Sequence, residues 1–177
     1  MDSYTSLEQL VGGGYDDFWH CRRRYRVVKG GKASKKSTTA ALWYIYNMMK
    51  YPGSNLLVIR KVMDTHRNST LASLQMAVDK LGVGRLWKTT RSPLEMTYIP
   101  TGQKILFRGM DDWQKVAGIT VPVGYLCWVW VEEAYELERE GDFDKLDLSA
   151  PRGQVPAPLF KQTTLTFNPW NEGHWLK

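Results

Sequence analysis

The run Tyr125–Val131, YLCWVWV, constrains this chain more than any other feature. It is far short of the roughly 20 apolar residues that a membrane span needs. It also lacks the in-out alternation of a strand with one face in water. An unbroken apolar run of this length reads as a strand covered on both faces. Leu56-Leu57-Val58-Ile59 reads the same way. Strands buried on both sides belong to parallel sheets with helices packed above and below.

The segments around these runs fit that scheme. Residues 1–24 form a polar, partly helical lead-in broken at Gly12-Gly13-Gly14. Tyr25–Val28 is β-branched and aromatic and reads as a short strand. A glycine- and lysine-rich loop comes next, and from Ser37 the stretch STTAALWYIYNMMK has helical composition until Tyr51-Pro52-Gly53 stops it. After the Leu56–Ile59 strand, Asp64–Leu81 reads as an amphipathic helix closed by Gly82. Leu94–Ile99 and Lys104–Phe107, joined by a Pro100–Gln103 turn, read as a hairpin. Ser149–Pro158 reads as a loop, and Leu159–Phe167 as a last strand ending at Asn168-Pro169. Strand, loop, helix, strand, helix in that order predicts parallel strands with crossovers.

Composition narrows the class. The chain has 177 residues, 43% of them hydrophobic, enough for one domain with its own core. No basic segment followed by an apolar one opens it, so no secretory signal is read. Two distant cysteines, Cys21 and Cys127, and three scattered histidines predict neither a disulfide framework nor a zinc site. The formal net charge of +6 suits a polyanionic partner, either nucleic acid or nucleotide phosphates.

The loop supplies the first candidate chemistry. Gly30-Gly31-Lys32-Ala33-Ser34-Lys35-Lys36-Ser37 aligns with the phosphate-binding pattern G-x-x-x-x-G-K-[ST]. Gly30 takes the first glycine, Lys36 the lysine and Ser37 the hydroxyl. Lys35 stands where the second glycine belongs. A strand before the loop and a helix after it let backbone amides face an anion. Residues Gly30 to Ser37, with Thr38 behind them, are therefore the expected ATP site. Lys36 is assigned to the β- and γ-phosphates and Ser37 to Mg²⁺. The competing reading is a solvated basic turn opening a helix.

Glu132-Glu133 supplies the second. The pair ends the most apolar strand, at the expected carboxyl edge of the sheet, where open α/β sheets bind ligands. One carboxylate serves the metal and the other orients and deprotonates the attacking water. In extended chain the two side chains point apart, which suits two roles. Acidic residues opening a helix are the competing reading.

Together, GGKASKKS, the strand end WVWVEEA and TLTFNPWNEGHWLK resemble phage large terminases of the PBSX type. RYRVVKGG and LLVIRK extend the resemblance over nearly the whole chain. The resemblance implies an α/β P-loop NTPase of the ASCE type, with a mostly parallel central sheet flanked by helices and an inserted β-hairpin. It implies an ATPase that drives double-stranded DNA into a procapsid. The implied partners are the portal protein, the small terminase subunit and further copies in a ring, at the portal in the host bacterial cytoplasm. It gives Glu132 the metal-side role, Glu133 the role of catalytic base, and Thr166 and Asn168 the sensing of phosphate or water and its coupling to movement. Large terminases also carry a nuclease domain after the motor. Residues 1–177 are read as a single motor domain, and no nuclease activity is expected of them. Asp111, Asp112, Asp142 and Asp144 read as solvated loop residues.

Ring ATPases commonly receive an arginine from a neighbouring subunit. Arg60 and Arg108, each at a strand end, are candidates for that finger or for a sensor. Arg22, Arg23 and Arg24 flank the nucleotide, touch DNA, or are solvated. Two other functions stay open: a helicase-like ATPase, and a nucleic-acid-binding module whose loop, with Lys35 for glycine, no longer binds ATP.

Overall fold

The fold was obtained as a computed structural model, which describes residues 7–169 and 173–176. Two short helices, α1 (Leu7–Val11) and α2 (Asp16–His20), lead into strand β1 (Tyr25–Lys29). Then come α3 (Lys36–Lys50), β2 (Ser54–Arg60), α4 (Thr70–Lys80), β3 (Trp87–Arg91), β4 (Leu94–Tyr98) and β5 (Gln103–Gly109). The chain continues with α5 (Trp113–Ala117), β6 (Tyr125–Glu132), α6 (Glu140–Ser149) and β7 (Gln162–Phe167).

All seven strands form one sheet in the order β1-β7-β6-β2-β5-β4-β3. β1, β7, β6, β2 and β5 run parallel, and β4 and β3 are antiparallel additions at one edge. β6 lies between β7 and β2, so its apolar sequence is where covering on both faces demands it. Alternation along each strand divides the core in two. Leu56, Val58, Trp128 and Trp130 pack with Trp43 and Tyr44 of α3 and Leu74 of α4 on one face. Leu57, Ile59, Val129 and Val131 pack with Val116 of α5 and Leu146 of α6 on the other. Each such large side chain, fully buried, contributes roughly 1.5–3 kcal/mol.

Several expectations need revision. The helix expected over Asp64–Leu81 is a 3-10 segment, Met63–Asn68, and then α4, broken at Ser69, whose φ of −128° and ψ of −92° no helix accommodates. The hairpin is a three-stranded antiparallel edge, because Trp87–Arg91 pairs with β4. The last strand begins at Gln162, not Leu159. Asp142 and Asp144 lie on α6, not in a loop. Met1–Ser6 of the lead-in, and Trp170–Glu172 and Lys177 of the last motif, fall outside the described residues. Cys21 and Cys127 are both free, and burial pushes the Cys127 thiol up to about 11.

Candidate nucleotide site

Sheet order builds the site. β1, β7 and β6 are neighbours, and all three point their carboxyl ends the same way. The residues at those three ends therefore meet at one edge: the lysine loop after β1, Asn168 after β7, and Glu132-Glu133 closing β6. Register makes this concrete. Lys29 pairs with Phe167 and Thr166 with Glu132, and the Gly30 amide donates to the Phe167 carbonyl at 3.2 Å.

The loop is closed tightly. A Cβ at Gly30 would stand 2.7 Å from Ser34 Oγ, so any other residue there would have to displace the Ser34 hydroxyl. The Ser34 carbonyl accepts the Tyr15 hydroxyl, tying the loop to the lead-in, while Ser34 Oγ is buried without a partner. Lys35 has φ 63° and ψ 10°, the left-handed conformation that glycine adopts at least cost. The sequence departs from the pattern at Lys35, but the backbone does not. Lys35 also leaves the first turn of α3 without a side-chain cap, so its amides stay free for an anion.

Buried polar side chains fill the edge. Lys36 is 7% exposed and donates from Nζ to Asn168 Oδ1 at 2.5 Å. Asn168 Nδ2 makes a longer contact, 3.5 Å, to Glu133 Oε1. Ser37 Oγ donates to Glu132 Oε1 at 2.9 Å. Glu132 is 6% exposed, and burial pushes its carboxyl above the usual carboxylate range, opposed by Arg60 and by the Ser37 hydroxyl. Its Oε2 lies 3.0 Å from Arg60 Nη1, an ion pair without the alignment of a hydrogen bond. Glu133 does not continue the strand: at φ 52° and ψ 49° it turns left-handed, so a turn rather than strand alternation separates the two carboxylates. Non-glycine residues in that region concentrate at functional sites.

The structure thus brings together Lys36, Ser37, Glu132, Glu133 and Asn168. Thr166 stands beside Glu132 in register, but its side chain is fully buried in β7 and accepts the Trp130 indole N–H at 2.9 Å. Arg108 donates to the carbonyl of its neighbour Phe107 and joins none of these residues. Arg60 is 8% exposed and turned inward, which does not suit a finger reaching another subunit. Arg24 is paired with Asp147, and Arg22 stacks over Phe160 with its Cζ 4.4 Å from the ring centroid. Sequence reasoning missed Glu136 and Ser69, both of which hold Arg60. Nothing in the spacing of WVEEAYE announced that its third glutamate turns back to the site.

Strand order, and the place of the loop within it, put the chain in the P-loop NTPase class of α/β folds. The family described as phage terminase large subunit matches residues 22–177. The large terminase subunit of Bacillus phage SPP1 is 42% identical over 130 residues, 73% of this chain and 31% of that protein. The PBSX phage terminase large subunit of Bacillus subtilis (strain 168) is 31% identical over 163 residues, 91% of this chain and 35% of that one. The chain belongs to the phage terminase large subunit family, and it spans about a third of the length of these two relatives. Among solved structures, the large terminase of a thermophilic bacteriophage superposes with a TM-score of 0.66 at 16% identity, covering 88% of this chain and 36% of that one. The N-terminal domain of the DNA packaging ATPase from bacteriophage phi29 gives 0.62 at 13%, covering 86% and 77%. The same thermophilic phage's terminase in complex with ATP-gamma-S gives 0.57 at 14%, covering 82% and 32%. At these identities the likeness is one of fold.

Proposed function

We propose that this chain is the ATP-hydrolysing motor domain of a DNA-packaging machine, coupling phosphate release to the movement of double-stranded DNA into a procapsid. The observation that carries the reading is the chain of contacts from buried Lys36 through buried Asn168 to half-buried Glu133, beside the Ser37–Glu132 pair. Buried amines and carboxylates are costly unless they serve one another or a ligand. Two buried atoms at this edge, Ser34 Oγ and Glu132 Oε2, lack hydrogen-bond partners, as expected where a ligand completes the set.

The donor set fits Mg²⁺. Ser37 Oγ and the Glu132 carboxylate are hard oxygens already in contact, and they would hold the ion directly or through water. The ion would supply charge neutralisation at the phosphates. The chain's own residues do the rest. Lys36 exchanges Asn168 for the β- and γ-phosphates, and the free amides at the start of α3 bind phosphate oxygens. Glu133 accepts a proton from the water that attacks in line. Asn168, released by Lys36 and still beside Glu133, senses whether phosphate is present and passes that state into β7. Thr166 serves this coupling only through the Trp130 contact.

Left-handed Lys35 argues against a loop too degenerate for nucleotide, since the backbone already has the glycine's conformation. The partners proposed are duplex DNA, the portal protein, the small terminase subunit and further copies of the chain in a ring, at the procapsid portal in the host cytoplasm. The motor role is proposed for residues 1–177 as one domain, without nuclease activity. Equilibrium binding of ATP-gamma-S tests the site. The parent chain is expected to bind it, and Lys36→Ala to weaken binding at least tenfold, the loss of roughly 1.4 kcal/mol or more expected of a charge-assisted contact. Equal affinity in both proteins contradicts the assignment.

A further inference from the structure

Arg60 closes β2, and the register of Ile59 with Val131 sets it beside Glu132 at the end of β6. Its guanidinium is engaged on every side. Nε and Nη2 donate to the two oxygens of Glu136 at 3.2 and 2.9 Å, a bidentate fork. Nη1 donates to Ser69 Oγ at 2.9 Å and stands 3.0 Å from Glu132 Oε2. Ser69 is itself held, donating to the Thr65 carbonyl at 2.7 Å. Glu136 is delivered by the 3-10 turn Ala134–Glu136, whose last amide donates to the Glu133 carbonyl at 2.8 Å. Three carboxylates, Glu132, Glu133 and Glu136, share this corner, and Arg60 lies between two of them.

The Glu132 carboxylate is therefore gripped at both oxygens by different means: the Ser37 hydroxyl on Oε1 and the Arg60 charge on Oε2. One Nη1 proton goes to Ser69, and the other makes no aligned hydrogen bond to Oε2, which has no hydrogen-bond partner. That is how a positively charged group steadies a ligand carboxylate without competing for its coordinating electrons. Lysine lacks the geometry: one ammonium cannot fork onto Glu136 while facing Glu132.

We propose that Arg60 is a positioning residue acting within its own subunit: braced by Glu136 and Ser69, it holds the Glu132 carboxylate beside Ser37 in the orientation that binds Mg²⁺ of the nucleotide complex. This rests on the nucleotide reading of the site. It replaces the finger role with an internal one, and it gives Glu136 a function that runs only through Arg60.

The test is the affinity of the chain for a fluorescent ATP analogue, measured in EDTA and across a Mg²⁺ titration, for the parent, Arg60→Gln, Arg60→Lys, Glu136→Gln and the Arg60→Gln/Glu136→Gln double variant. Thermal unfolding identifies the variants that fold. Arg60→Gln is expected to keep the parent's affinity in EDTA and to need about 10- to 100-fold more Mg²⁺ for half its effect, the cost usual for losing an outer partner of a metal ligand. Arg60→Lys and Glu136→Gln shift in the same direction by less. The double variant matches Arg60→Gln, since two residues acting through one contact are not additive. If Arg60→Gln fails to fold, Arg60→Lys and Glu136→Gln decide the matter. Folded variants with the parent's Mg²⁺ dependence overturn the proposal and leave the nucleotide reading standing. So does a parent that binds the analogue equally with and without Mg²⁺. A parent that binds no nucleotide overturns the nucleotide reading and this proposal with it.

Discussion

Lys35 shows how a single residue can break a sequence pattern while keeping the conformation the pattern exists to secure. Holding a lysine left-handed costs about 1–2 kcal/mol, and glycine returns about 0.5–1 kcal/mol of that through the greater freedom of its unfolded chain. Lys35→Gly is therefore expected to stabilise the domain by about 0.5–1 kcal/mol in urea unfolding. A loss of stability of that size would mean that the Lys35 side chain does more than tolerate its place. That Lys36, Ser37, Glu132 and Glu133 meet at one sheet edge was legible from residue order, because each follows or closes a strand of a parallel sheet. The left-handed turn at Glu133 was not, since nothing in Glu-Glu-Ala distinguishes a strand that continues from one that turns. Nor was Glu136, whose place depends on where Arg60 projects from a strand far away in sequence.

Among the elements, β2 and β6 were readable because burial on both faces leaves a sequence with no polar alternation. β7 was harder to place: its first three residues are Gln162, Thr163 and Thr164, polar yet all buried. Gln162 donates to the Arg23 carbonyl, and Thr164 accepts from Arg26. α6 lacks a long apolar stripe, and its Asp142 and Asp144 read as loop residues. The break before α4 was hidden because Met63–Asn68 continues the helical pattern, and tertiary contacts decide its geometry. His66 sits there with no exposed surface, bonded to Thr70 Oγ1 at 2.7 Å and to the Arg108 carbonyl at 2.9 Å. Burial lowers it from 6.5 to about 4. The folded state thus holds His66 neutral while the unfolded chain protonates near 6.5. Its contribution is fully present above pH 6.5 and is lost as pH falls through about 4. Between pH 7 and 4.5 the parent is expected to lose about 2 kcal/mol through this group. A His66→Gln variant should lack that part of the slope in urea unfolding. Identical slopes would show that His66 does not titrate as its burial implies.

For the whole molecule, a net charge of +6 and the proposed phosphate-binding sheet edge suit two anionic ligands held in different ways. Among the described residues no helix is long and apolar enough to cross a membrane. Contact with duplex DNA should run through its phosphates, so affinity should fall linearly with salt on logarithmic axes and vary little with sequence. Fluorescence anisotropy with two unrelated duplexes checks this, and strong preference for one of them at all salt concentrations would contradict it. We propose that the edge formed by β1, β7 and β6 hydrolyses ATP. The most direct test is Mg²⁺-dependent phosphate release by the parent chain at high protein concentration, beside Lys36→Ala and Glu133→Gln. The predicted result is turnover by the parent that both substitutions abolish, with ATP-gamma-S binding kept in Glu133→Gln. Turnover that survives Glu133→Gln, or a parent chain that neither binds nor cleaves nucleotide, would contradict it.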